Sequence, residues 1–248
     1  MSKTVLITGG SRGIGAATAL LAAREGYAVA VNYTSNSLAA DEVVRQIRAG
    51  GGQAITVQAD VSDEKQVTAM FEKVDAKFGR LTALVNNAGV VDVNTRVDGI
   101  TLARLKRMFA INVFGSFLCA REAVKRMSTL YGGEGGAIVN VSSAAARMGA
   151  PGSYVDYAAA KGAIDTFTLG LSKEVAAEGI RVNAVRPGII ETEIHASGGR
   201  PDRAADMAPQ LPMQRAGKAS EVAESIVWLL SEKSSYTTGA LLDISGAR

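Results

Sequence analysis

The 248 residues predict one α/β domain with a doubly wound parallel sheet, and three observations carry that reading. Short, nearly continuous apolar runs alternate with segments whose apolar residues recur every three or four positions. A glycine-rich turn separates the first run from the first such segment, and no linker-like stretch divides the chain. Runs buried on both faces belong in a parallel sheet with helices above and below.

In order, residues 4–8 form the first expected strand and 13–25 the first helix. Residues 28–32 read as strand, 38–49 as helix, 53–58 as strand, 64–78 as helix and 83–86 as strand. One long helix is expected over 102–127, because Leu102, Leu105, Phe109, Val113, Phe117, Ala120, Val124 and Met127 recur at helical spacing. The glycines at 132, 133, 135 and 136 read as a turn before a strand at 137–141, not as a second phosphate site. A helix over 157–177, a strand at 181–185, a helix over 221–230 and a last strand at 240–244 complete the series. Right-handed crossovers between the seven strands give a Rossmann-type sheet spanning 1–248. The irregular stretch from Pro187 to about Ser220 is long for a compact domain, so a substrate lid is expected over about 188–220.

Composition narrows the function classes. No run of 18 apolar residues occurs, so no membrane span is expected. The first strand starts within three residues of Met1, leaving no room for a leader, and with the single cysteine, Cys119, the expectation is a cytoplasmic protein. Cys119 lies off the main apolar stripe of its helix and reads as packing. The net charge of +3 is small and scattered, which argues against nucleic acid. No Cys, His and carboxylate spacing suits zinc, so no metal is expected, and the one histidine, His195, is either a solvated loop residue or a substrate contact.

Two motifs carry chemistry. After the first strand, Gly9, Gly13 and Gly15 are spaced G-x₃-G-x-G around Ser11, Arg12 and Ile14. Glycines there let backbone approach a pyrophosphate at a helix N-terminus, where oriented N–H groups favour an anion. The end of strand two, Asn32, Tyr33, Thr34 and Ser35, carries no carboxylate before Asp41, so nothing repels a 2′-phosphate, and Arg12 could pair with one. This favours NADP(H) over NAD. Far downstream, Tyr157 precedes Lys161 by one helical turn, with Ser143 fourteen residues before the tyrosine. A neighbouring ammonium is expected to lower the phenol's pKa and make it a proton donor and acceptor for a carbonyl or alcohol oxygen.

These motifs resemble those of the short-chain dehydrogenase/reductase family over nearly the whole chain. The turn from Thr8 to Gly15 resembles the family's cofactor turn, and Asp60-Val61 sits where the family contacts adenine. Asn86-Asn87-Ala88-Gly89 resembles its strand-four signature, and Ile138 to Ser143 the strand bearing its serine. Pro187, Gly188, Ile189, Ile190 and Thr192 resemble the segment that holds the nicotinamide carboxamide. The resemblance implies that Tyr157 is the acid and base, that Lys161 also holds the nicotinamide ribose, that Ser143 binds the substrate oxygen and that Asn112 places a water beside Lys161. Ser142 and Ser143 both qualify by position; the family's loop at Arg147-Met148-Gly149 suggests one extra residue before Tyr157, which selects Ser143. Tyr154 lacks a lysine four residues on and reads, with Met148, Ile189 and His195, as part of the substrate pocket.

The expected activity is hydride transfer between NADP(H) and a carbonyl or secondary alcohol of ketone, 3-oxoacyl or sugar type. A cofactor-binding sensor or structural subunit without turnover is the alternative, and a complete Ser143, Tyr157, Lys161 set argues against it. An acyl carrier protein partner would need exposed bases at the rim; Arg126 and Lys173 qualify but also fit solvated helix faces. The helices at 102–127 and 157–177 have more apolar surface than one sheet face can cover, and with the family resemblance this implies a homotetramer; Trp228 reads as core or interface.

Overall fold

The computed structural model describes residues 3–248, so the first two residues of the predicted domain lie outside the described residues. In chain order the strands are β1 (Lys3–Ile7), β2 (Tyr27–Tyr33), β3 (Ala54–Gln58), β4 (Ala83–Asn86), β5 (Gly136–Val141), β6 (Ile180–Pro187), β7 (Ile190–Glu191), β8 (Gly217–Lys218) and β9 (Leu241–Ile244). Seven form one sheet in the order β3-β2-β1-β4-β5-β6-β9, and every pairing is parallel. The helices are α1 (Gly13–Arg24), α2 (Ser37–Ala49), α3 (Glu64–Phe78), α4 (Leu102–Phe109), α5 (Gly115–Met127), α6 (Ala145–Met148), α7 (Val155–Val175), α8 (Ile194–Ser197), α9 (Arg203–Met207) and α10 (Ala219–Leu230).

Alternation along β1 distributes its side chains between two cores. Val5 and Ile7 face a layer built by α1, α2 and α10, while Leu6 faces the layer of α3, α5 and α7. All three are fully buried, which is why the run shows no polar alternation. Side chains cap α2, α3 and α4: Asn36 accepts from the Ala39 amide, Asp63 from the Lys65 and Gln66 amides, and Thr101 from the Arg104 amide. α1 packs against α10, joining the two ends of the chain, and the Tyr27 hydroxyl donates to the Leu230 carbonyl at 3.2 Å beneath that contact.

Two expectations need correction. The long helix at 102–127 is interrupted: residues Ala110–Phe114 form a π-helical turn between α4 and α5. The wider turn shifts the phase of α5 relative to α4, so the expected stripe stays on the core only in part. Beyond the turn Cys119 and Ala123, off the expected stripe, join Ala120 and Met127 in the core, whereas Phe117, on the stripe, is 46% exposed. Cys119 is thus a core residue, as its reading as packing implies, and burial pushes its thiol up to about 12. The stretch 188–220 is not wholly irregular either. It holds the parallel pair β7–β8, α8 and α9, with Ile189, Leu211 and Ala216 forming a small core of their own.

Candidate active site

The sheet reverses direction between β1, which leads out to β2 and β3, and β4, which leads to β5 and β6. A crevice opens beyond the carboxyl ends of strands at such a point, because the connections on either side run to opposite faces. A cleft of about 630 Å³ lies there, and it runs from the glycine turn to α7. Gly9, Ser11, Arg12, Gly13 and Ile14 line one end with Tyr33, Thr34, Ser35, Asp60 and Val61. Asn87, Ala88, Gly89, Pro187, Gly188, Ile190 and Thr192 line its middle. Ser143, Met148, Tyr154, Tyr157, Lys161, Ile189 and His195 line the other end.

The glycine turn is built to leave backbone bare. Gly9 and Gly13 have φ of +59° and +53°, a left-handed conformation that a side chain disfavours. A Cβ on Gly15 would stand 2.4 Å from the Gly9 carbonyl oxygen and 2.6 Å from Asn87 Nδ2, so the third glycine sets the packing of α1 under the turn and does not itself line the cleft. Asn87 Nδ2 donates to the Thr8 and Gly9 carbonyls at 2.8 and 2.9 Å, and Thr8 Oγ1 accepts from the Asn87 and Ala88 amides. Unlike α2 and α3, α1 has no side-chain cap, and its first turn carries no acid. Its free amides point into the cleft with the positive end of the helix dipole. That donor set fits a pyrophosphate.

Asn32 is a correction. Its carboxamide is buried and faces inward, accepting from the Gly9 amide at 3.1 Å and donating to the Val57 and Ala59 carbonyls. It braces the glycine turn from below and does not line the cleft. Arg12 is exposed at the cleft mouth, beside Thr34, Ser35 and Asn36, and makes no ion pair within 4.0 Å among the described residues.

At the other end, β5 delivers Ser142 and Ser143 to opposite sides. Ser142 is buried and donates to the Lys161 carbonyl at 3.2 Å, so its hydroxyl is occupied by the fold. Ser143 is in the cleft, where Oγ accepts from the Ala145 amide at 3.1 Å and faces Tyr157. Lys161 is buried one turn beyond Tyr157 and donates from Nζ to the Val141 carbonyl at 2.7 Å. The expected lowering of the phenol by Lys161 is not found. Burial pushes the Tyr157 phenol up to about 12, although Ser143 and the Arg203 charge favour its ionised form. Burial also brings the Lys161 ammonium down to about 8, against the opposing influence of Asp165. The ammonium is turned towards Val141, 5.5 Å from the centre of the tyrosine ring, and does not offset the phenol's desolvation.

Asn112 sits fully buried in the π-helical turn and does not line the cleft. Its Oδ1 accepts from the Val90 amide at 3.1 Å, while Nδ2 donates to the Val90 and Met108 carbonyls. The side chain therefore pins the loop after β4 to the helix. Tyr154 is buried against the cleft with the Arg203 guanidinium stacked 4.8 Å over its ring. His195 bonds the Ile190 carbonyl at 2.9 Å, and burial with the Arg203 and Arg200 charges lowers its pKa.

Some supporting residues left no mark in the sequence reading. Arg104 holds Asp156, in the first turn of α7, with two bonds of 2.7 and 3.1 Å, and also donates to the Val93 carbonyl at 2.6 Å. Burial alone would raise the Asp156 carboxyl, but Arg104 and the Tyr157 amide hold it below its usual range. The pair fixes α7 against α4 next to Tyr157. Beneath the site, Asn86 donates to Asn140 and Asn140 to Thr168, both at 2.9 Å, tying β4, β5 and α7 together. Arg126, by contrast, is engaged by Asp75 and Glu122 and is not a free base, and neither it nor the exposed Lys173 lines the cleft.

Among the described residues no helix is long and apolar enough to cross a membrane. A family model described as enoyl-(acyl carrier protein) reductase matches residues 9–246. The uncharacterized oxidoreductase YgfF of Escherichia coli (strain K12) is 60% identical over 243 residues, covering 98% of each chain. Glucose 1-dehydrogenase 2 of Bacillus subtilis (strain 168) is 37% identical over 244 residues, 98% of this chain and 93% of that one. A short-chain dehydrogenase from Burkholderia cenocepacia J2315, solved in complex with NADP, superposes with a TM-score of 0.90 at 33% identity, covering 98% of this chain and 96% of that one. With its seven-stranded parallel sheet and the order of its motifs, the chain is an oxidoreductase of the short-chain dehydrogenase/reductase family.

Proposed function

We propose that the protein transfers a hydride between NADP(H) and the carbonyl or secondary alcohol of a small molecule, with Tyr157 as the proton donor and acceptor. The observation that carries this reading is one continuous cleft joining an uncapped, glycine-lined helix N-terminus to Ser143, Tyr157 and Lys161. A sensor or structural subunit needs the first of these and not the second.

The backbone of Gly9 to Ile14 would hold the pyrophosphate, Asp60 and Val61 the adenine, and Asn87 to Gly89 with Pro187, Gly188, Ile190 and Thr192 the nicotinamide half. The cofactor, when bound, supplies or accepts the hydride. Ser143 donates a hydrogen bond to the substrate oxygen, and Tyr157 delivers its phenolic proton to that oxygen as charge develops there. Lys161, held by Val141, keeps a positive charge below both groups. Asn112, in the π-helical turn beside α7, is the residue to which the family resemblance assigns the water beside Lys161; its carbonyl accepts from the Ser116 hydroxyl at 3.5 Å. Oxidation of NADPH followed by absorbance against a panel of ketones tests the reading; no turnover of any ketone and no oxidation of any alcohol would reject it. The NADP complex of the Burkholderia relative supports the cofactor class.

NADP preference rests on Arg12 beside an acid-free β2 end. Arg12→Ala is expected to raise the KM for NADPH by about 10- to 100-fold and leave that for NADH nearly unchanged, as loss of a charge-assisted bond to phosphate requires. A wild type that uses NADH better than NADPH would overturn the assignment. We also propose self-association into a tetramer, supported by Leu102, Phe114, Phe117 and Leu169 standing exposed on α4, the π-helical turn, α5 and α7. Light scattering at micromolar protein is expected to give the mass of four chains, and a monomer mass would count against it.

A further inference from the structure

The substrate end of the cleft carries more positive charge than the proposed chemistry needs. Arg203, on α9, extends over the Tyr154 ring and lines the cleft beside Tyr157. Its Nε is buried and has no hydrogen-bond partner. Arg203 forms no ion pair within 4.0 Å among the described residues, whereas Arg200, three residues earlier on the same segment, is neutralised by Asp206 at 3.0 Å. A second guanidinium, that of Arg248, lines the same end and lies near enough for the two charges to repel. His195, the third basic group there, has its Nε2 committed to the Ile190 carbonyl.

Two partly buried cations that form no ion pair with a side-chain acid are costly, because desolvation and mutual repulsion both oppose them. Folded proteins pair such charges, and the unpaired exceptions point to a ligand. The guanidinium carbon lies 4.8 Å from the centre of the Tyr154 ring, a contact that holds the side chain in place where it lines the cleft. The planar N–H fork of a guanidinium is suited to carboxylate or phosphate oxygens. We infer that the substrate is a small oxo or hydroxy compound bearing an oxyanion, which Arg203 and Arg248 bind while its carbonyl or hydroxyl is held at Ser143 and Tyr157. This deepens the proposed oxidoreductase reading and rests on it for the reacting end.

The test pairs anions with neutral analogues of the same skeleton: acetoacetate with ethyl acetoacetate, and dihydroxyacetone phosphate with dihydroxyacetone. The first pair probes a carboxylate and the second a phosphate ester. Wild-type enzyme with NADPH is expected to favour one anion over its neutral partner by about 10- to 100-fold in kcat/KM, the worth of a charge-assisted pair. In Arg203→Met that ratio is expected to fall by the same factor through KM, with Arg203→Lys restoring part of it. Calorimetric titration with acetoacetate and with inorganic phosphate supplies a readout independent of turnover. Anion binding that depends on Arg203 without reduction of any ketone or oxidation of any alcohol would overturn the proposed hydride transfer and keep the anion site. Preference for the neutral member of both pairs, an equal loss for both members in Arg203→Met, or a weaker affinity for NADPH in that variant would overturn the anion site.

Discussion

Tyr157→Phe is expected to lower kcat for ketone reduction by about 10²–10⁴-fold, the usual cost of losing a general acid, while NADPH still binds. The change deletes one hydroxyl and keeps the ring, so the apolar contacts of Tyr157 with its neighbours on α7 survive. Tyr154→Phe is the control. Its ring is buried under Arg203 and its hydroxyl points towards Gly198, so losing that hydroxyl should alter KM and leave kcat near normal. If Tyr154→Phe loses kcat and Tyr157→Phe does not, the roles are reversed. The pH profile gives a second check. With the phenol near 12 and charged only above that value, its protonated form is in excess at neutral pH. Alcohol oxidation, which needs the phenolate, should therefore rise with pH through the range from about 7 to 9, whereas ketone reduction should gain nothing over that range. An oxidation rate that is flat with pH would contradict a phenol raised by burial.

Gly15→Ala is expected to weaken NADPH binding by at least about 100-fold, because several charge-assisted bonds from the turn are misplaced together. The added Cβ meets the Gly9 carbonyl at 2.4 Å and the Asn87 side chain at 2.6 Å, and both belong to the cradle itself. Neither can yield without moving Gly9, whose amide is bonded to Asn32 and whose carbonyl is bonded to Asn87. The substitution should also cost about 1–3 kcal/mol of stability through overpacking. Fluorescence titration with NADPH and thermal melting separate the two effects; an affinity within about threefold of wild type would show that the turn adapts.

Much of this molecule was legible in the sequence because the motifs sit where the sheet turns over. The seven strands announce themselves as apolar runs, and the cleft residues at the glycine turn, after β4 and after β6 lie where their motifs place them. The π-helical turn was hidden because Phe109, Val113 and Phe117 keep helical spacing through it. One wider turn shifts the phase of everything beyond, and spacing alone does not record such a shift. Asn32 was misassigned for a related reason: in a strand buried on both faces, polarity does not show which way a residue points. The short elements of 188–220 have too few residues to display a period, and Arg203 stands among them without a motif to mark it. Lys161 was assigned by its position relative to Tyr157, but its hydrogen bond to Val141 depends on how β5 meets α7, which only the folded chain displays.

The packing of α1 on α10 has a consequence for synthesis on the ribosome. The helix that opens the chain keeps Ala19 and Ala22 buried in a layer completed by Val222, Ile226 and Leu230, some two hundred residues later. β1 is an inner strand of the sheet, and its neighbour β4, the central strand, begins at Ala83. In a nascent chain the side of α1 that meets α10 thus stays uncovered until Ala219–Leu230 has been made, although β1, β2 and α2 are already available to its other side. Domains of this length take several seconds or more to translate. A chain cut short before α10 would lack the helix that covers this side of α1.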